Sequence, residues 1–318
     1  MEERMITPAK SPRPKLDYGA WQDTCATLHL WTQVVGKIRL MQTPWLNHSW
    51  HVALYVNSRG LTTSPIPHGM RSFEIEFNFL EHVLDITVSD GSARRLVLRP
   101  QSVADFYGAV IAALVDLGIP VAINDKPCEI AAGTAFSEDR LHAAYDPEYA
   151  WRFWQVLLQT DRVLKKFRTG FLGKSSPVHF FWGSFDLAVT RFSGRRAPPF
   201  AGTAPGVSSE VMREAYSHEV SSAGFWPGGN GIDFAAFYSY TYPVAAGFRS
   251  VSVQPAAAYF SEALGEFLLP YEAVRTAADP EATLLAFLQS TYEAAAVTAG
   301  WDRALECAPG RPCVPRGT

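Results

Sequence analysis

The chain has 318 residues, of which 47% are hydrophobic and 19% charged, and its formal net charge is −3. This composition is typical of a globular protein with a substantial core and excludes an intrinsically disordered chain. The slightly acidic balance argues against nucleic acid as a partner, because proteins that bind nucleic acid usually present a basic surface. No apolar run reaches the roughly 18 residues that a membrane span needs, so no membrane partner is predicted.

The N-terminal residues and the cysteines bear on the cellular compartment. The first segment, MEERMITPAKSPRPK, has basic residues but no apolar segment after them, so it does not resemble a secretory signal. The four cysteines, Cys25, Cys128, Cys307 and Cys313, form no CxxC pair, which suits a reducing cytoplasm. We therefore expect a cytoplasmic protein. Cys307 and Cys313 flank the sequence APGRP and could cross-link under oxidising conditions.

The first part of the chain predicts one helix followed by strands. Apolar residues recur at helical spacing from Asp17 to Leu40. Pro44 ends this pattern, and the alternation in WLNHSWHVALYV predicts a strand. The segment SFEIEFNFLEHVLDITVSDGSARRLVLRP predicts an antiparallel meander, in which Asp90-Gly91 provides hairpin-turn chemistry.

Three further helices are predicted from their end signals. Ser102 and Asp105 form a capping-box-like pair, and Gly118 ends the helix that they start. The residues IPVAI after it predict a short strand. Asp146-Pro147 and Asp279-Pro280 each combine a cap residue with proline at the first helical position, which predicts two more helices. Between them, KSSPVHFFWGSFDLAVTRFSGRR is predicted to form one or two strands, and further strands are predicted in SHEVSSAGF and FAAFYSYTY.

The order of elements predicts an α+β protein of two similar helix–antiparallel sheet–helix halves packed together. TLHLWTQVVGKIRL resembles LLQTDRVLKKFR in spacing, with Lys37 and Arg39 matching Lys166 and Arg168. Either an ancient duplication or a chance similarity explains these few matches. If the two halves are related, a pocket is expected at the seam between them. The predicted divisions are a disordered tail (1–16), an N-terminal half (17–135), a C-terminal half that carries the candidate site (136–302) and a flexible tail (303–318).

Candidate chemistry concentrates in the segment KSSPVHFFWGSFDLAVTRFSGRR, which places polar residues in a strand-like run. Asp186 there must find a hydrogen bond or a counter-ion, because an unpaired buried carboxylate is costly. Arg191 and Arg195 are close to it in sequence. One interpretation is a buried Asp–Arg pair that fixes the strand register. The other is a carboxylate that acts as a base or as a metal ligand.

Histidines on different predicted strands extend this candidate site. His179 and His218, with Asp186 or Glu219, would make a two-His, one-carboxylate set for a divalent metal. Such a set supports hydrolysis or oxygen chemistry. The spacing lacks a strong motif such as HExxH, so a metal-free His–carboxylate pair acting as general base stays open. A triad of Ser184, His218 and Asp186 is less well supported, because Ser184 does not lie in a GxSxG elbow.

Aromatic and basic residues supply the candidate binding groups. Trp182 and Trp226 would form walls of the pocket, although core packing explains most of the aromatic residues equally well. Arg191 or Arg195 would hold an anionic group of a ligand. The sequence has no GxxxxGK[ST] loop and no GxGxxG fingerprint, so nothing in it indicates a nucleotide.

Several long phrases of the chain resemble a family of bacterial proteins of unknown function, the DUF5996 family. They include ATLHLWTQVVGK, NHSWHVALYV, SPVHFFWGSFDLAVTRFSGRRAP and SHEVSSAGFWPG, and the likeness runs from about Trp21 to Trp301. The resemblance implies no reaction and supplies no catalytic residues.

The residues therefore predict a small-molecule enzyme, hydrolytic or oxidative, with a His/carboxylate site in an aromatic-lined pocket. In one version of this hypothesis a divalent metal assists the reaction, and in the other a His–carboxylate pair acts as general base without a metal. The alternative is a non-catalytic small-molecule-binding or scaffold protein, in which the same polar residues pair with each other inside the core. Substrate, metal identity and oligomeric state do not follow from the sequence.

Overall fold

The computed structural model describes residues 13–229 and 231–307. The predicted tails lie mostly outside these residues, and so does Cys313, one half of the predicted cross-link. Residues 13–16 of the predicted N-terminal tail are described and packed: Leu16 is buried, and the carbonyl of Pro14 accepts a hydrogen bond from the Tyr271 hydroxyl at 2.9 Å.

Two antiparallel sheets flanked by helices make up the fold, so the predicted α+β class is confirmed. The duplication of the two halves stays a prediction. Short 3-10 helices occur at Asn47–Val52, Phe248–Ser250 and Arg303–Leu305. The α-helices are α1 (Tyr18–Gln42), α2 (Val103–Asp116), α3 (Pro147–Arg168), α4 (Ser209–Ala215), α5 (Tyr271–Arg275) and α6 (Pro280–Thr298).

The N-terminal sheet contains six strands, β1 (Tyr55–Val56), β2 (Gly60–Thr62), β3 (Ile66–His68), β4 (Arg71–Asn78), β5 (Val83–Val88) and β6 (Ala93–Val97). Their order is β1-β2-β4-β5-β6, with β3 paired to β4. The predicted meander is present as β4, β5 and β6. Phe77 of β4 stacks on Phe106 of α2, which stacks in turn on Trp31 of α1, so both helices cover one face of this sheet.

The C-terminal sheet contains β7 (His179–Phe181), β8 (Asp186–Arg196), β9 (His218–Trp226), β10 (Ala236–Tyr242), β11 (Tyr259–Ser261) and β12 (Glu266–Pro270). The strand order is β11-β12-β10-β9-β8-β7. Helices α3 and α6 pack against one face of this sheet, which leaves the other face to form the floor of a cavity.

The predicted helix starts are confirmed by their caps. The side chain of Ser102 accepts from the backbone N–H of Asp105, and Asp146 and Asp279 cap α3 and α6 in the same way. Gly118 follows α2 with φ +68°, a conformation that favours glycine. Among the helices of the described residues, none is long and apolar enough to cross a membrane.

Of the predicted strands, one is absent and one is present only at its end, as β1. Residues 47–52 form a 3-10 turn, in which His48 and Ser49 have φ of 59° and 55°. The backbone N–H of His48 donates to the carboxylate of Glu214 at 2.8 Å, so a contact with α4 determines the conformation here. Residues 119–123 are not a strand, because Ile119 closes the end of α2 by donating to the Leu114 carbonyl at 2.8 Å.

One or two strands are predicted for the segment that carries the candidate site, and the structure has two. The first of them, β7, ends at Phe181. A turn follows, in which the Phe185 N–H donates to the Phe181 carbonyl at 2.8 Å and Phe185 has φ +61°. The segment is therefore a hairpin, and β8 begins at Asp186. No pattern in the sequence indicated α4, β11 or β12.

Candidate functional site

A cavity of about 380 Å³ lies where the two halves meet. The C-terminal sheet forms its floor. The end of α1, the turn at Asn47–Val52 and the loop that carries Cys128 and Glu129 come from the N-terminal half, and α4 closes another side. A ligand in this cavity would contact both halves of the chain.

Strand register determines which side chains face the cavity. Ala188 of β8 lies opposite Gly224 of β9, which lies opposite Tyr238 of β10, and these residues share one face. The next row on that face joins Thr190 and Ser222, whose hydroxyls are 2.9 Å apart. Asp186 lies at the start of β8 on the same face, because alternate residues of a strand point to the same side.

Asp186 is a buried carboxylate held by two hydroxyl groups. Ser184 donates to its Oδ1 at 2.5 Å, and Tyr238 donates to its Oδ2. Gly224 permits this arrangement, because a Cβ at that position would lie 2.6 Å from the Tyr238 hydroxyl. Burial raises the pKa of Asp186, and the two hydrogen bonds, which favour the carboxylate, oppose that shift.

Glu129 is a second carboxyl group that lines the cavity. It lies in the loop between α2 and α3 with φ +59°, and its carboxylate packs on Gly183, where any side chain would collide with it. Burial and the neighbouring charge of Asp186 raise the pKa of Glu129 to about 7. Glu266 of β12 has its pKa raised to about 7 by the same two causes. The charge of Asp186 thus acts on two other carboxyl groups, of which Glu129 lines the cavity.

Phenol groups surround these carboxyl groups. The hydroxyls of Tyr216 and Tyr240 are 3.0 Å apart, and the ring of Tyr240 stacks on that of Tyr238. Burial raises the pKa of all three tyrosines, so their hydroxyls stay protonated at neutral pH. They can therefore act as neutral hydrogen-bond donors to a ligand or to a carboxylate.

A second group of residues in this cavity lies around His48. His48, Trp50, Phe192 and Lys37 line it, and the Lys174 ammonium donates to Nε2 of His48 at 2.6 Å. Burial and the charge of Lys174 lower the pKa of His48, which keeps that ring neutral and able to accept. The Lys174 ammonium also lies 4.8 Å from the centre of the Phe192 ring. The carboxylate of Glu214 acts on both His48 and Lys174, so this group is not purely basic.

The four predicted catalytic residues are not brought together. His179 lies opposite Ala188 on β8, whereas His218 lies opposite Arg196, eight positions further along that strand. The rings of Trp50 and His48 lie between the two histidines. Within residues 13–229 and 231–307, no group of three or more His, Cys, Asp or Glu could hold a metal ion. The geometry therefore offers no support for the predicted metal set.

Glu219, the fourth predicted catalytic residue, forms an ion pair with Arg195, a predicted binding residue. Arg195 Nη2 lies 2.7 Å from the Glu219 carboxylate and also donates to the Ala299 carbonyl at the end of α6 at 2.7 Å. Ser193 donates to the same carboxylate at 2.8 Å. These contacts join the end of β8 to β9 and α6, which is a structural role away from the cavity lining.

The predicted pairing of Asp186 with an arginine is wrong. Arg191 is five positions along β8, so it points to the opposite face of the sheet. Its guanidinium lies 3.6 Å from the centre of the Phe167 ring and 4.3 Å from that of Tyr292. It donates to the Phe167 carbonyl at 2.5 Å. Arg191 therefore packs under α3 and α6 and cannot hold a ligand in the cavity.

The two predicted tryptophan walls lie in different places. Trp182 lines the cavity, packs on Gly36 of α1 and donates from its Nε1 to the Val52 carbonyl at 2.7 Å. Trp226 instead lines a separate cavity of about 200 Å³, together with Cys25. Glu129 and His48 were not found from the sequence. Both lie in irregular segments, where no periodicity indicates the direction of a side chain.

The sequence of this cavity-containing region was compared with known families. Residues 13–307 match the model of a family described as "Family of unknown function (DUF5996)". The chain belongs to the DUF5996 family. The match includes both halves and every residue of the cavity, so the resemblance noted in the sequence is confirmed. A search of curated proteins found no match, and a search of solved structures found none either.

Replacing Glu129 by glutamine should change how stability depends on pH. The pKa of Glu129 is raised on folding from 4.5 to about 7, so the folded protein binds the extra proton in that range. This contribution to stability is fully present below about pH 4.5 and is lost as the pH rises through about 7. At roughly 1.4 kcal/mol per pKa unit, its loss amounts to about 3 kcal/mol at most.

Urea unfolding of wild type and Glu129→Gln at about pH 5 and about pH 8 measures this effect. The wild type should lose more stability between the two pH values than the variant does. Comparing the two proteins removes the contributions of other titrating groups, such as His29, whose pKa is lowered by burial to about 4. Equal pH dependence in both proteins would show that Glu129 titrates normally.

Proposed function

We propose that this protein is a small-molecule enzyme in which Glu129 and Asp186 transfer protons. The observation that carries the proposal is that two interacting carboxyl groups line one cavity at the seam of the two halves. Paired carboxyl groups with different environments are the common arrangement for general acid–base catalysis.

The surroundings of the two carboxyl groups assign them different roles. Asp186 accepts hydrogen bonds from Ser184 and Tyr238, which favour its carboxylate form, so it serves as the base. Glu129 has a pKa near 7 and carries a proton in a large fraction of molecules at neutral pH, so it serves as the acid. With Asp186 activating a water molecule and Glu129 protonating the leaving group, the reaction would be a hydrolysis.

The cavity also limits the kind of molecule that fits. Its volume of about 380 Å³ suits a small metabolite, and Trp50, Trp182 and Phe192 give it apolar walls. Lys37 lines the cavity, and Lys174 donates to His48, which also lines it. We therefore propose a ligand with an apolar or aromatic body and an electronegative group directed toward the lysines.

A non-catalytic binding protein is the second candidate. Both oxygens of Asp186 already accept a hydrogen bond from the protein, as expected of a carboxylate that only organises the cavity floor. In that case the cavity would hold its ligand without changing it.

One experiment distinguishes the two candidates. A library of small metabolites is screened for thermal stabilisation of wild type and Glu129→Gln, and each ligand found is then followed by NMR for conversion. Catalysis predicts that wild type converts a bound compound and that the variant binds it but converts it about 100-fold more slowly or worse. A ligand that both proteins bind and neither converts would establish the binding protein instead.

A further inference from the structure

Three basic side chains lie close together outside the lining of the cavity, two of them against Tyr55 and the third, Arg168, near enough to His179 to act on it. Arg39 comes from the last turn of α1, Arg168 ends α3, and His179 lies on β7. The ring of Tyr55 contacts two of them: its centre is 5.6 Å from the His179 ring and 5.6 Å from Cζ of Arg39. Trp50 packs against the other side of His179, with ring centres 5.6 Å apart.

Several polar atoms of this group lack partners. Within the described part of the chain, no hydrogen bond is made by Nη1 of Arg39, by Nε of Arg168 or by either ring nitrogen of His179. Arg39 is only 7% exposed and His179 only 1% exposed. Arg39 makes one hydrogen bond, from Nε to the carbonyl of His51 at 2.8 Å. The group therefore holds buried donors that have no acceptor.

Within residues 13–229 and 231–307, no carboxylate pairs with these basic side chains. The charged groups that act on His179 are Arg168 and Arg39, and together with burial they lower its pKa to about 3. In the described residues neither arginine forms an ion pair with a carboxylate. A buried guanidinium without a counter-ion is costly, and an anion held between Arg39 and the half-buried Arg168 would offset that cost.

We propose that Arg39, Arg168 and His179 form a binding site for an oxyanion, either a phosphate or a carboxylate group. Guanidinium groups present paired donors that match the oxygens of both groups. The neutral His179 ring donates one further hydrogen bond through its N–H. The anion reaches the site from the side of Arg168 and Tyr55, which are only half-buried. The site is separate from Glu129 and Asp186 and does not depend on any reaction there.

Arg191 is a buried arginine that does not form an anion site, because no other basic side chain of the described residues lies beside it. Its Nε and Nη1 also lack hydrogen-bond partners, and it is as buried as His179. Its guanidinium, however, is enclosed between the rings of Phe167 and Tyr292, and no second arginine acts on it. Arg191 is therefore stabilised by ring contacts and by the nearby carboxylate of Glu306, which acts as its counter-charge.

The test measures binding of inorganic phosphate and of acetate by calorimetry, at constant ionic strength set with chloride. Wild type should bind one of the two, and the tighter one identifies the chemical class. Arg168→Met should weaken that binding by at least about tenfold, because it removes one of the two guanidinium groups of the site. Arg99→Met removes the same charge from an exposed position, so it should bind like wild type.

Two further variants show whether anion binding depends on this group of basic residues alone. Glu129→Gln should bind the anion as wild type does, even if that variant shows the acid–base proposal to be wrong. If Arg168→Met does not fold, Arg168→Lys provides a second variant. It keeps the positive charge but lacks the paired donors of a guanidinium group, so it should bind the anion more weakly than wild type. Failure of wild type to bind either anion, or unchanged binding in the Arg168 variant that folds, would overturn the proposal.

Discussion

Replacing Asp186 by asparagine should lower the pKa of Glu129 and of Glu266 together. The charge of Asp186 is a cause of the raised pKa at both glutamates, so removing it makes each of them easier to ionise. Asparagine has nearly the same shape, and its amide can still accept from Tyr238 and donate to Ser184. The change therefore removes a charge and leaves the packing in place.

Carbon-13 NMR of labelled glutamate side chains measures this effect directly, as titration curves in wild type and Asp186→Asn. The matched control is Asp161→Asn. Asp161 of α3 is also a buried aspartate with a raised pKa, but it pairs with Lys165 and does not act on either glutamate. The two glutamates should titrate in Asp161→Asn as in wild type. If they also titrate in Asp186→Asn as in wild type, the three carboxyl groups are not coupled.

The same substitution bears on the proposed reaction. If Asp186 is the base, Asp186→Asn should reduce kcat by about 10²–10⁴-fold, the usual contribution of general base catalysis. Binding of the substrate should change much less, because the hydrogen bonds of the cavity floor remain. A variant with full activity would remove Asp186 from the mechanism and leave it as a structural carboxylate.

The sequence predicted those parts of the fold that depend on neighbours in the chain. The caps at Ser102, Asp146 and Asp279 form hydrogen bonds within three residues, so their signal is local. The hairpin of β4 and β5 was equally clear, because one face of both strands is buried and the apolar residues alternate. Distant contacts contribute little to either feature.

The site was predicted less well because distant contacts determine it. The turn at His48 depends on Glu214, which is 166 positions away, and no local pattern reveals that. Glu129 likewise reaches the cavity from an irregular loop. The error about Arg191, by contrast, was avoidable: five positions along a strand is an odd number, which already places Asp186 and Arg191 on opposite faces.

Replacing Gly36 by alanine should destabilise the protein and disturb the cavity. A methyl group there would overlap the indole ring of Trp182, which packs directly on α1 at this point. Trp182 cannot move away freely, because its Nε1 donates to the Val52 carbonyl at 2.7 Å. Overpacking of this kind costs about 1–3 kcal/mol. Because Trp182 is also a wall of the cavity, binding of any cavity ligand should weaken as well.

Gly108 of α2 provides the matched control for this effect. It also lies inside a helix, but a Cβ there would have no atom within 4 Å. Alanine favours a helix over glycine by up to about 1 kcal/mol, so Gly108→Ala should leave stability unchanged or raise it. Urea unfolding of both variants separates the two effects, because helix propensity acts in both and the collision acts in one. If Gly36→Ala were as stable as Gly108→Ala, α1 would not pack on Trp182 this closely, and the wall of the cavity would be free to move.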